Sequence, residues 1–128
     1  PGMPPVFCRE LVALNGLAKE RRVDSTLVRL SADGSQQARQ VVEALQRGRR
    51  NLDGYWWVDK QHADLVLLMP MTGASGFESF MLRTEKMLQD DYAFADLRQA
   101  GLTYSHREMD GSPVLDQIAD LLGVDHVR

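Results

Sequence analysis

The chain has 128 residues, 44% of them hydrophobic, and a formal net charge of -3; that is one domain's worth of sequence, able to bury a single core without disulfides or metals. The acidic balance excludes a general binder of DNA or RNA, which needs a basic excess to neutralise phosphates. Cys8 is the only cysteine, so no internal disulfide or cysteine-rich zinc site can form, and the apolar runs are strand-sized, short of the ~20 residues of a membrane helix.

Pro4-Pro5 interrupts regular structure, after which Phe7, Leu11, Leu14, Leu17 and Ala18 recur at helical spacing and predict a helix over 6–21. Residues 24–31, with Thr26, Leu27, Val28 and Leu30, read as a first strand, and Asp33-Gly34-Ser35 as a turn or helix cap. From 35 to 49, Ala38, Val41, Val42 and Leu45 form one stripe of an amphipathic helix. Arg47, Arg49 and Arg50 follow as its last cations, where they complement the helix dipole and could equally hold phosphates.

Arg50 and Asp53 stand three residues apart where helix gives way to strand. A planar guanidinium can donate twice to the O6 and N7 acceptors of guanine, and a carboxylate can accept from its N1 and N2 hydrogens. The pattern Arg-x-x-Asp alone is unspecific, since it occurs also at Arg21/Asp24 and Arg107/Asp110. The dipole explains cations at this helix end but not Asp53.

Residues 54–58 and 63–69 read as a hairpin around a polar turn, and the adjacent Trp56 and Trp57 must point to opposite faces. Thr72 to Gly76 is a loop, with Ser75-x-x-Glu78 as a capping box for a helix over 74–90 that carries Phe77, Phe80, Met81, Thr84, Met87 and Leu88. Arg83 lies mid-helix and reads either as a solvated arginine with Glu78 as a partner on the same helix, or as a ligand contact. Residues 92–99 form a short helix or irregular connection, 101–109 a strand, and Ser112-Pro113 caps and starts a last helix that Gly123 stops. His62, His106 and His126 fall in separate elements without metal-ligand spacing, and no Walker loop, dinucleotide fingerprint or nucleophile elbow is present.

The Arg50-x-x-Asp53 step just before a hairpin resembles the GGDEF domain of diguanylate cyclases, where such a step is the inhibitory site for cyclic di-GMP. The resemblance spans about residues 22–122 and is specific only from Arg50 to Pro70. The family's signature turn is absent: here it reads Asp59-Lys60-Gln61-His62-Ala63 or Gln61-His62-Ala63-Asp64-Leu65. The family's metal-binding aspartate is matched by Ser31 beside Ala32, and a single helix fills the interval where a working cyclase has two with a nucleotide-binding turn between them.

What the resemblance implies is an α/β, nucleotidyl-cyclase-like twisted sheet with a central β-hairpin flanked by helices, residues 1–21 being a linker helix and 22–128 a degenerate GGDEF-like domain. It implies a non-catalytic receptor that needs no cofactor and binds cyclic di-GMP through Arg50 and Asp53, with Arg49, Gly54 and Arg83 contributing. It further implies regulation of exopolysaccharide (biofilm) export through other protein domains of a membrane-associated secretion complex, in the cytoplasm as the soluble part of an inner-membrane protein. A start at Pro1 instead of Met fits an excised piece. The alternative is a structural module of the same fold that binds only protein partners. Receptor function calls for Arg50 and Asp53 to be exposed and convergent; the structural alternative calls for Asp53 to be bound to Arg50 or to cap a turn.

Overall fold

A computed structural model of the chain describes residues 2–123. The elements run α1 (Pro5–Arg21), β1 (Thr26–Ala32), α2 (Gln36–Arg47), β2 (Gly54–Asp59), β3 (Asp64–Met69), α3 (Ala74–Tyr92), β4 (Leu102–Glu108) and α4 (Val114–Leu122). The four strands form one antiparallel sheet in the order β2-β3-β1-β4. The hairpin is central in the chain but not in the sheet: β3 is an interior strand, whereas β2 is an edge. β3 reads as a continuous apolar run because it is covered on both faces.

Side-chain alternation along the strands splits the core in two. Val28, Leu30, Leu65 and Leu67 face Ala38, Val41, Val42 and Leu45 of α2 and Phe77 and Leu88 of α3. Leu27, Trp56, Val66 and Leu68 face Phe7, Leu11 and Leu14 of α1 and Ile118 and Leu121 of α4. The tryptophans divide as their adjacency requires: Trp56 is buried under α1 and packs on Phe7, while Trp57 joins the α2/α3 side. Helix α1 is thus a packing helix of the same core. Asn15 ties it further, donating to the Ser112 carbonyl and accepting from Gln117 and from the Gly111 N–H. A boundary after residue 21 would cut through this cluster.

Several local expectations are corrected. Helix α2 ends at Arg47 with Gly48 as its C-cap, so only Arg47 lies in the last turn and Arg49 and Arg50 stand beyond it. Its N-cap is Ser35, whose hydroxyl accepts from the Ala38 N–H, while Asp33 makes the turn before it. No capping box forms at α3: the N-cap is Gly73, whose carbonyl takes the Phe77 N–H at 2.9 Å, and Ser75 falls inside the first turn. Ser112 does not cap α4 either; its hydroxyl and N–H both donate to Asp110, and Pro113 takes the N-cap position. Residues 93–101 form an irregular connection, and His126 lies outside the described residues. Among the described residues no helix is long and apolar enough to cross a membrane.

Candidate functional site

Between Gly48 and Gly54 the chain must leave α2 and enter the edge strand, and it does so through a turn in which the Asp53 N–H donates to the Arg50 carbonyl at 3.0 Å. That turn brings both side chains of the Arg-x-x-Asp step to one side. Asp53 accepts from the Arg50 backbone N–H (3.1 Å), from Nε (3.0 Å) and from Nη2 (2.8 Å). The carboxylate is buried, its side chain 5% exposed, while that of Arg50 is 50% exposed. The two residues therefore converge, but on each other, and the expected exposure of Asp53 is not met. Asp53 raises the pKa of Arg50 through this hydrogen bonding and charge, so the guanidinium stays cationic.

Arg50 is anchored from a second direction. Nη2 also donates to the Thr72 hydroxyl at 3.0 Å, and Thr72 is fixed in turn by its own bond to the Pro70 carbonyl and by the Thr26 hydroxyl on its carbonyl. A Cβ on Gly76 would lie 2.8 Å from the Thr72 methyl carbon, so only glycine lets the first turn of α3 come this close. Nη1 of Arg50 has no hydrogen bond within the chain among the described residues.

Two adjoining cavities, of about 190 and 130 Å³, open beside this pair. Both are lined by Arg50, Asp53, Phe80 and Arg83, and the larger one also by Arg49 and Met87. Arg83 is exposed and forms no ion pair, with Glu78 or otherwise, among the described residues. Arg49 lies over the Tyr55 ring, 4.3 Å from guanidinium carbon to centroid, and its Nη1 donates to the Gln46 carbonyl at the end of α2. Arg49 thus serves the helix end, as the dipole reading has it, and walls the cavity as well. Three arginines and an aromatic platform around a small concavity suit a planar, anionic ligand.

Of the residues singled out in the sequence, Arg49, Arg50, Asp53 and Arg83 meet at this cavity, and Gly54 does not. Gly54 begins β2 and lines a neighbouring depression with Phe7, Glu10 and Tyr55. Sequence reasoning missed Thr72, which touches Arg50 across 22 residues of chain. It also missed Phe80 and Met87, although Phe80, Arg83, Thr84 and Met87 follow the helical spacing and could have been read as one face of α3. The other two Arg-x-x-Asp steps lack such surroundings: Arg107 is spent on Asp110 and Asp120, each at 2.8 Å, and Arg21 and Asp24 are exposed on either side of a helix end.

The site expected for a cyclase's metals is differently built. Ser31 donates to Asp64 at 3.1 Å, and Arg29 holds both oxygens of the same carboxylate at 3.0 and 2.9 Å. In the hairpin turn, Arg39 of α2 donates to the Lys60 and Gln61 carbonyls, and His62 pairs with Asp59. The oxygens a magnesium ion would use are engaged by an internal cation.

The family model described as PelD GGDEF domain matches residues 1–124. Solved structures similar in fold are PelD 156–455 from Pseudomonas aeruginosa PA14 in its apo form (TM-score 0.78, 19% identity, 94% of this chain and 45% of that one) and in complex with c-di-GMP (TM-score 0.77, 19%, 93% and 45%). PelD 158-CT from Pseudomonas aeruginosa PAO1 in complex with c-di-GMP is likewise similar (TM-score 0.78, 19%, 93% and 44%). The chain spans less than half the length of these PelD chains. No curated protein matches it by sequence.

Proposed function

The chain belongs to the PelD GGDEF-domain family, and from that premise we propose that it is a non-catalytic receptor domain for cyclic di-GMP. The carrying observation is the meeting of Arg49, Arg50, Asp53 and Arg83 at one cavity, with Arg83 and Nη1 of Arg50 free of partners within the described chain. On this reading Arg50 presents its fork to the guanine acceptors, Asp53 takes the base's N–H groups once the pair opens or fixes Arg50 while it stays closed, and Arg83 and Arg49 neutralise the phosphates. Structural relatives of this chain have been solved with the same dinucleotide. We place the domain, by the same reading, in a membrane-associated assembly for exopolysaccharide export, acting on other protein domains from the cytoplasmic side.

The rival is a structural module without ligand, and one observation favours it: Asp53 is buried against Arg50. Against it stands Arg83, an unpaired cation beside an already compensated pair, which packing alone does not require. Isothermal titration with cyclic di-GMP decides. Heat that is lost in Arg50→Ala supports the receptor; no heat with the unaltered chain leaves the structural module.

A further inference from the structure

On the far side of Arg49 from the Arg50–Arg83 cavity lies a second depression, of about 350 Å³, with Arg49 and Asp53 among the walls of both. Phe7 and Gly54 line it, and a Cβ on Gly54 would stand in ordinary van der Waals contact with the Phe7 ring, at 3.5 Å, and with Glu10 Oε2, at 3.8 Å, so the strand backbone lies close to both. Tyr55, half exposed at the start of the edge strand, forms an aromatic wall already in contact with the Arg49 guanidinium. Glu10 and Asn51 complete the rim, and neither side chain has a hydrogen bond or ion pair among the described residues. Arg49 is steadied by the Asp53 and Gln46 carbonyls, which leaves its Nη2 uncommitted.

This is a second set of groups that fits a guanine base: a carboxylate for the N1 and N2 hydrogens, a guanidinium and a carboxamide for O6 and N7, and an aromatic face to stack on. The Glu10 side chain, of intermediate exposure and without a partner among the described residues, is available to accept from a donor placed in the depression. We propose that this depression is a second base subsite, in which Glu10 receives one guanine of a cyclic dinucleotide while Arg50 and Asp53 receive the other. The inference rests on the receptor reading above and deepens it, because it makes α1 part of the ligand site and Glu10 a determinant of specificity.

The test is calorimetric titration of the chain and its Glu10→Gln, Tyr55→Leu and Arg50→Ala variants with cyclic di-GMP and with the mixed cyclic GMP-AMP, which has a single guanine. Glu10→Gln is expected to weaken cyclic di-GMP about tenfold or more, the size of a lost hydrogen bond to a charged group. It should leave cyclic GMP-AMP nearly unchanged, so the preference for the bis-guanine ligand collapses, and Tyr55→Leu should weaken both ligands without lowering the melting temperature. If Arg50→Ala abolishes binding while Glu10→Gln and Tyr55→Leu bind cyclic di-GMP as the unaltered chain does, the subsite is wrong and the receptor reading stands. If the unaltered chain binds neither ligand, both fall.

Discussion

Asp53 closes on Arg50 from both the backbone and the side chain, taking the Arg50 N–H at 3.1 Å and its Nη2 at 2.8 Å within one turn. The pair is therefore a structural element as well as a candidate site, and changes at either residue carry two readouts. Arg50→Ala leaves a buried carboxylate with only a backbone donor, and Asp53→Ala leaves the guanidinium tied only to the Thr72 hydroxyl and, at 3.4 Å, to the Pro70 carbonyl. Each is expected to lower stability by about 1–2 kcal/mol, discounted for the half exposure of Arg50, and to weaken cyclic di-GMP by about ten- to a hundredfold. Arg50→Lys keeps the charge without the planar fork and should recover little affinity. Thermal melting and titration on the same samples separate the two effects; unaltered affinity in both alanine variants places the ligand elsewhere.

Arg83 provides the cleaner separation, since it is exposed and has no ion pair among the described residues. Arg83→Ala is expected to change stability by no more than about 0.5 kcal/mol, the range of surface substitutions away from structural features. Its affinity for cyclic di-GMP should nonetheless fall about tenfold, with a weaker dependence on salt, because one phosphate contact is lost. A variant that binds like the unaltered chain would remove Arg83 from the site.

Much of this site was legible in local sequence and part of it was not. The period of Ala38, Val41, Val42 and Leu45 identifies α2, and the apolar run 65–69 identifies β3, because burial on one stripe or on both sheet faces leaves a local mark. The convergence of Arg50 and Asp53 is legible because a single turn joins them. Thr72 is not legible because it meets Arg50 only across 22 residues of chain, and Glu10 shares a depression with Arg49 only through the packing of α1 on the sheet, which no local pattern records. Caps depend on the chain's path in the same way: Ser75 has the right chemistry, but Gly73 sits where the chain turns into α3.

Leu11 tests whether α1 belongs to the domain. It is fully buried between Phe7, Trp56 and the sheet, as Leu65 is on the opposite face. Leu11→Ala is expected to cost about 2–5 kcal/mol in urea unfolding, comparable to Leu65→Ala. A loss below about 1 kcal/mol at Leu11 alone would mark α1 as an appended linker.

Acid should loosen the turns before it reaches the core. The Ser35 hydroxyl and N–H lower the pKa of Asp33, His62 lowers that of Asp59, and Ser112, then Arg107, lower that of Asp110. Each carboxylate is bound better when ionised in the folded chain, so its contribution is complete above the ordinary aspartate value near 4 and is lost as pH falls through the lower folded value. The melting temperature is expected to drop as pH falls below the ordinary aspartate value of about 4. Asp110→Asn should lower it at pH 7 and shrink the acid-induced drop; an identical drop in that variant would show that this turn does not contribute.

Arg29 and Asp64 decide whether the hairpin can support chemistry. Forming a phosphodiester from GTP with two magnesium ions requires anionic oxygens open to the metal and a turn into which the nucleotide's phosphates can settle. Here Asp64 gives both oxygens to Arg29, whose pKa is raised by that bond, so the internal cation persists at any working pH. Ser31, at the position matched to the metal-binding aspartate, is a donor to the same carboxylate and adds no negative charge. The turn itself is clamped by Arg39 on the Lys60 and Gln61 carbonyls, and its Ala63 side chain is buried in the core, so the backbone is not free to wrap a phosphate. Incubation with GTP and magnesium is therefore expected to yield no cyclic di-GMP above a control without protein. Releasing Asp64 by Arg29→Met should not create activity, because one carboxylate cannot hold two metals; product formation that disappears in Asp64→Asn would overturn the assignment of this domain as a receptor without catalysis.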